Sequence, residues 1–191
     1  MTTSSSSIVL IGMPGAGKST VGILLAKLTC RSFVDTDVLI QSQEGRPLQE
    51  IVDKDGYLAL RTIEEQVIVG HGCTGCVIAT GGSAVYSPAA MAHLKRYGTV
   101  VFLNVDLAAL EERVRDIDTR GLAKRPDQSF RDLYDERTPL YRKYADITID
   151  CGGLTHEAVC ARVIAALGDE RATACRDQRH APSCGKSHLP L

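Results

Sequence analysis

The strongest constraint on this chain is a short pattern near its start. Gly12-Met-Pro-Gly-Ala-Gly17-Lys18-Ser19 fits the form G-x-x-x-x-G-K-S. It follows a branched apolar run, Ile8-Val-Leu-Ile11, and precedes apolar residues at helical spacing, Val21, Leu24, Leu25 and Leu28. A brief apolar run bounded by glycines reads as a buried parallel strand. The unit is therefore strand, tight loop, helix. Glycines let such a loop curl its N–H groups inward onto phosphate oxygens, and the helix that follows presents its positive end. Gly15, Ala16, Gly17, Lys18, Ser19 and Thr20 are expected to hold the phosphates of a nucleotide. Lys18 would reach the β- and γ-phosphates, and the Ser19 hydroxyl would bind Mg²⁺. The motif implies a nucleoside triphosphate and does not by itself imply a reaction.

The remaining sequence alternates in the same way. Strands are expected at Ser32–Val34, Val77–Ala79, Val100–Leu103 and Ile147–Ile149. Helices are expected at Asp37–Gln43, Leu48–Asp53, Tyr57–Gly70, Pro88–Lys95, Leu107–Asp116, Phe130–Tyr144 and His156–Leu167. Pro139 falls inside one of these helices and predicts a bend. The alternation indicates an α/β fold with a parallel sheet between helical layers. Ligands in such sheets gather beyond the carboxyl ends of the strands. The polar and glycine-rich segments Gly12–Lys18, Asp35–Asp37 and Thr80–Gly82 fall at those ends. After Leu167 the periodicity stops. Residues 1–7 read as a flexible start, 8–168 as the folded domain and 169–191 as a disordered tail. Cys175, Cys184, His180 and His188 match no familiar metal spacing.

Composition narrows the function classes. The net charge is −1, which provides no field for nucleic acid or an anionic membrane. No apolar run approaches the roughly 18 residues of a membrane span. No basic residue precedes the first apolar stretch, so a secretory signal is not expected. The seven cysteines are odd in number and irregularly spaced, which suits a reducing cytoplasm. Cys73-x-x-Cys76 is accordingly expected to be two free thiols in a turn before a strand.

Two further groups carry possible chemistry. Asp35-Thr-Asp37 follows the second strand, where one acid could serve Mg²⁺ and the other could accept a hydroxyl proton. Helix capping by Asp37 is an equally physical reading of the same residues. Arg61 and Glu64 share a helix face, which a surface ion pair would also explain. Arg113, Arg120, Arg125 and Arg137 come later, and none is informative alone.

Taken in order, these segments resemble shikimate kinases over Ile8 to Leu167. The matching elements are Gly12–Ser19, Phe33-Val-Asp-Thr-Asp37, Arg61-Thr-Ile-Glu64, Ala79-Thr-Gly-Gly82, Arg120 and Glu136-Arg-Thr-Pro-Leu-Tyr141. The resemblance implies a P-loop NTPase three-layer sandwich with a five-stranded parallel sheet of order 2-3-1-4-5 and a mobile lid at about Ile117–Ser129. It implies ATP-dependent phosphorylation of the 3-hydroxyl of shikimate by a cytoplasmic monomer. It also implies roles. Asp37 would be the base and contact the substrate hydroxyls, and Asp35 would lie near Mg²⁺. Arg61 and Arg137 would hold the substrate carboxylate. Gly81 and Gly82 would line the substrate site. Glu64 would support the substrate-side arginine and hydroxyl. Arg113 would pack on the adenine, and Arg120 would close over the phosphates.

The sequence also departs from the family pattern. Ser83 stands where a third glycine is usual, and its hydroxyl is expected to point away from the site. The lid reads Arg120-Gly-Leu-Ala-Lys-Arg-Pro126, so that Arg125 competes with Arg120 for the lid role; spacing from Arg113 and Arg137 favours Arg120. A kinase of another hydroxy acid such as gluconate, or a catalytically silent nucleotide-binding module, are the rival functions.

Overall fold

The computed structural model describes residues 6–113 and 121–177, with side chains to residue 168. In chain order its elements are β1 (Ser7–Ile11), α1 (Lys18–Thr29), β2 (Ser32–Asp35), α2 (Thr36–Glu44), α3 (Leu48–Asp55), α4 (Tyr57–Gly70) and β3 (Cys76–Ala79). There follow a 3-10 turn at Ala84–Tyr86, α5 (Pro88–Tyr97), β4 (Gly98–Asn104), α6 (Leu107–Arg113), α7 (Phe130–Tyr144), β5 (Ile147–Asp150) and α8 (His156–Asp177). The five strands form one parallel sheet in the order β2-β3-β1-β4-β5. This is the α/β architecture expected, with the same strand order.

β1 is the centre of the sheet, and all of its residues are buried. Val9 stands between Ile78 of β3 and Val100 of β4. That double burial explains why β1 reads as an uninterrupted apolar run. The parallel register brings the ends of β1, β2 and β3 to one edge, where the phosphate loop, the Asp35–Asp37 segment and Thr80–Gly82 meet. A second, smaller core joins Ile40, Ile51, Leu60, Val67 and Ala123. It packs α2, α3 and α4 together beside that edge and includes the chain just after residue 120.

Several boundaries differ from expectation for identifiable reasons. Ser7 is part of β1, because its hydroxyl donates to the Cys73 carbonyl and accepts from the Cys76 amide. The cap of α2 is Asp35, whose carboxylate accepts from the Asp37 amide; Asp37 is not the cap. Pro139 sits within a continuous α7. Both Pro139 and Asp135, whose carbonyl loses its helical partner, lie on the exposed side, where water can take over. α7 begins with a capping box between Ser129 and Asp132. α8 runs to Asp177, ten residues past Leu167, so the segment after 168 continues as helix before the described chain ends. The Cys73–Cys76 expectation is overturned: the two are joined as a disulfide. Gly75, with φ 72°, folds this turn back and brings the two Cα atoms to 6.1 Å.

Candidate active site

A cavity of about 650 Å³ opens along the carboxyl edge of the sheet. One wall is the phosphate loop, from Pro14 and Gly15 through Gly17, Lys18, Ser19 and Thr20. Gly15 and Gly17 have φ of 81° and 88°, in the left-handed region that glycine enters without strain. They turn the loop into α1. Lys18 is the first residue of that helix and points back over the loop, its ammonium donating to the carbonyls of Gly12 at 2.8 Å and Met13 at 3.0 Å. Burial lowers its pKa to about 8, even though Asp37 pulls it the other way. The Ser19 hydroxyl donates to Asp35 Oδ2 at 2.6 Å, across the gap between α1 and β2. This carboxylate thus caps α2 with one oxygen and meets Ser19 with the other.

Asp37 faces the cavity from the first turn of α2. Burial raises its pKa, while Lys18 opposes the shift. Gly81 lies between Asp37 and Glu64. A Cβ on Gly81 would stand 2.7 Å from Asp37 Oδ1 and would collide with Glu64 Oε1. Only glycine lets both carboxylates approach the same backbone. The Gly81 amide donates to Thr36 Oγ1 at 2.8 Å, and the Gly82 carbonyl accepts from the Tyr141 hydroxyl at 2.7 Å. These bonds tie the glycine turn to α2 and α7.

Glu64 is 2% exposed on α4. Its Oε2 accepts the Ser83 hydroxyl, and its Oε1 has no partner. Burial raises its pKa to about 7, with the Ser83 hydrogen bond, Arg137 and Lys18 opposing and Asp37 reinforcing the rise. The Ser83 expectation is half corrected. Its φ of −97° is ordinary, but its hydroxyl turns toward Glu64 rather than away. Glu64 bonds to Ser83 and not to either arginine.

The two candidate carboxylate-binding arginines converge. Arg137 lines the cavity and is 1% exposed; its Nη2 donates to the Ala123 carbonyl at 2.8 Å. Arg61 Nη2 donates to the same carbonyl at 3.2 Å. Arg61 stands behind Ala123 and is not itself on the cavity wall. Arg125 is engaged with Glu136 at 3.4 Å, at this end of the site. Arg120 lies outside the described residues.

The opposite end of the cavity holds Arg113, at the close of α6, with Leu154, Thr155, His156 and Glu157. These four follow β5 and were not singled out from sequence. The signal was available: they are another strand end on the ligand edge. His156 packs against the phosphate loop, with Nε2 at 3.3 Å from where a Gly17 Cβ would lie.

The Glu64 environment predicts a pH effect. Its ordinary pKa is 4.5, so between that value and about 7 the folded chain keeps a proton that the unfolded chain has released. Stability without ligands should therefore fall as pH rises through this window, by about 3 kcal/mol at most from this group. Glu64→Gln should flatten the fall by removing this group's part of it, while Asp37, whose pKa burial also raises, acts with the same sign. Urea unfolding at pH 5 and pH 7.5 checks this; an unchanged slope in the variant would refute it.

Comparison with known proteins agrees with the geometry. The sequence model of the shikimate kinase family matches residues 14–168. A shikimate kinase of Aromatoleum aromaticum is 42% identical over 149 residues, spanning 76% of this chain and 85% of its own length. One from Thiobacillus denitrificans is 40% identical over 146 residues, spanning 75% and 80%. Among solved structures, the shikimate kinase from Acinetobacter baumannii in complex with shikimate superposes with a TM-score of 0.79 at 31% identity, covering 87% of this chain and 94% of that one. A gluconokinase from Sinorhizobium meliloti, at 19% identity and a TM-score of 0.50, shares the fold alone. On motif order, strand order and these matches together, the chain belongs to the shikimate kinase family.

Proposed function

We infer that the chain transfers the terminal phosphoryl group of ATP to the 3-hydroxyl of shikimate, giving shikimate 3-phosphate and ADP in the route to chorismate and the aromatic amino acids. The observation that carries this is the polarity of one cavity. A phosphate loop forms one side, and Asp37 and Arg137 face the same space beside it. A second guanidinium, Arg61, meets Arg137 at a single acceptor. Phosphoryl transfer asks a protein for positioning and charge neutralisation more than covalent chemistry. Lys18 supplies positive charge at the phosphates. Asp37, poised by burial toward a higher pKa, orients the attacking hydroxyl and accepts its proton. Guanidinium groups suit the flat carboxylate of the acceptor. The A. baumannii structure that this fold matches holds shikimate, which supports that acceptor over gluconate. The presence of Lys18, Ser19, Asp35 and Asp37 in working geometry disfavours a silent module.

Ser19 and Asp35 fit Mg²⁺: both offer hard oxygen ligands, and they already lie within a hydrogen bond of each other. With those two residues holding it, Mg²⁺ would supply positive charge that offsets the charge of the phosphates. Among the described residues no helix is long and apolar enough to cross a membrane.

The segment from about 117 to 129 is read as the lid, with Arg120 closing over the phosphates. Its described part is rooted at the substrate end, where the Gly121 amide donates to Gln49 Oε1 at 2.6 Å and Ala123 meets both arginines. A bound carboxylate would compete for the same Nη2 hydrogens, which couples substrate to the lid.

Four outcomes are expected. Asp37→Asn should lower kcat by about two to four decades with ATP affinity kept, because an amide cannot accept the proton; near-normal turnover would remove Asp37 from the base role. Arg137→Lys should raise the KM for shikimate roughly 10- to 100-fold while the KM for ATP stays within about twofold. Arg61→Lys should act in the same direction but less, since Arg61 stands behind Ala123; a change confined to ATP would move either residue to the nucleotide side. Hydrogen exchange at residues 121–129 should slow when ADP and shikimate are both added, and unchanged exchange would count against closure.

A further inference from the structure

Tyr86 belongs to none of the motifs that relate this chain to its family, yet it touches Arg61, Arg137 and Glu136 together. It closes the 3-10 turn that follows Gly81-Gly82-Ser83. Ala84 and Val85 anchor that turn in the core, while Tyr86 is only half-buried and reaches toward the arginines. The guanidinium carbon of Arg61 lies 3.6 Å from the Tyr86 ring centroid, and that of Arg137 lies 5.2 Å away. The Tyr86 hydroxyl donates to Glu136 Oε1 at 2.5 Å and accepts from Arg137 Nε at 3.3 Å. Glu136 is itself held, because its Oε2 accepts from Gln128 Nε2 at 2.7 Å.

These contacts form a directed chain. Glu136 accepts the phenolic O–H as a hydrogen bond, so the oxygen lone pairs are left for Arg137 Nε. With the hydroxyl fixed at Glu136 and Arg137, the ring presents one face to Arg61, and the negative potential over that face favours the cation. Two guanidiniums near one acceptor repel each other, and nothing in their own long side chains sets their separation. Tyr86 is rigid, neutral and in contact with both. Their Nη2 atoms meet at one oxygen, that of Ala123, which shows the spacing that results.

We propose that Tyr86 is the positioning residue of the carboxylate clamp, its ring face seating Arg61 and its hydroxyl seating Arg137, so that the two guanidiniums are held at the separation that reads a carboxylate. The proposal rests on shikimate being the acceptor. Tyr86 acts through the arginines and contacts no reacting atom. It therefore contributes to selection of an acid over its uncharged counterpart and leaves the chemical step alone.

The test measures binding of shikimate and of shikimate methyl ester to the full chain by calorimetry, for the parent, Tyr86→Phe and Tyr86→Leu, with steady-state kinetics alongside. The parent should bind the acid at least tenfold more tightly than the ester. Tyr86→Phe keeps the ring and loses the hydroxyl, and with it the hydrogen bonds to Glu136 and from Arg137; it should weaken shikimate about five- to tenfold as Arg137 loses its seat, and leave the ester within about twofold. Tyr86→Leu loses both contacts and should weaken shikimate further, removing most of the preference for the acid. In both variants ATP affinity should stay within about twofold, which also shows that they are folded, and kcat at saturating shikimate should stay within about threefold. Acid and ester weakening in equal proportion would mean a merely structural role and overturn the proposal, as would an unaltered acid preference in Tyr86→Phe. A parent that does not distinguish acid from ester would overturn the clamp itself, and the shikimate reading with it.

Discussion

The burial of like and unlike charge in one cavity wall is the constraint on which the site depends. Lys18, Glu64 and Arg137 are all nearly removed from water. An unpaired charge in such a place costs as much as a domain's whole net stability. These groups persist because each is answered. Lys18 is answered by two loop carbonyls, Arg137 by the Ala123 carbonyl and the Tyr86 hydroxyl, and Glu64 by Ser83. The answers are incomplete, and the pKa values record it: burial pushes Lys18 down and Glu64 up, each toward its neutral form. An anionic nucleotide and an anionic acceptor bring partners for Lys18 and Arg137, while Glu64 Oε1 still needs a donor. The site is built to be most comfortable when full.

The fold serves that balance at a distance. β1 is paired on both sides, so the loop that leaves it starts from the buried middle of the sheet. The helices that bear Asp37, Arg61 and Glu64 are packed instead by the smaller core of α2, α3 and α4, and Ala123 is part of that core. Arg137 and the Gly81–Tyr86 turn are anchored in the main core through Leu133, Tyr141, Ala84 and Val85. The acceptor side thus joins the two hydrophobic clusters.

Much of this was legible in the sequence, and the reasons are local. The phosphate loop announces itself because its geometry demands glycines and its chemistry demands Lys18 and Ser19 at fixed offsets. The sheet announces itself because buried strands read as apolar runs. Asp35 was harder: a cap and a metal ligand use the same atoms, and here the carboxylate caps α2 while meeting Ser19. Tyr86 and the Ser83–Glu64 bond were not legible, since each depends on contacts between segments far apart in the chain. The Cys73–Cys76 bridge was misread because irregular cysteine counts describe a compartment, whereas the pairing depends on a glycine turn.

The shared acceptor of the two arginines has one more consequence. It is a peptide oxygen, not a side chain. Every amino acid at position 123 would present the same atom, so exchanging the residue there cannot delete the contact; it can only displace it. Because Ala123 is itself packed in the smaller core, a larger residue there would shift the strap and move that oxygen, altering the strength of the grip rather than removing its acceptor. A tether made of main chain is the one part of a binding site that single-residue exchange leaves in place.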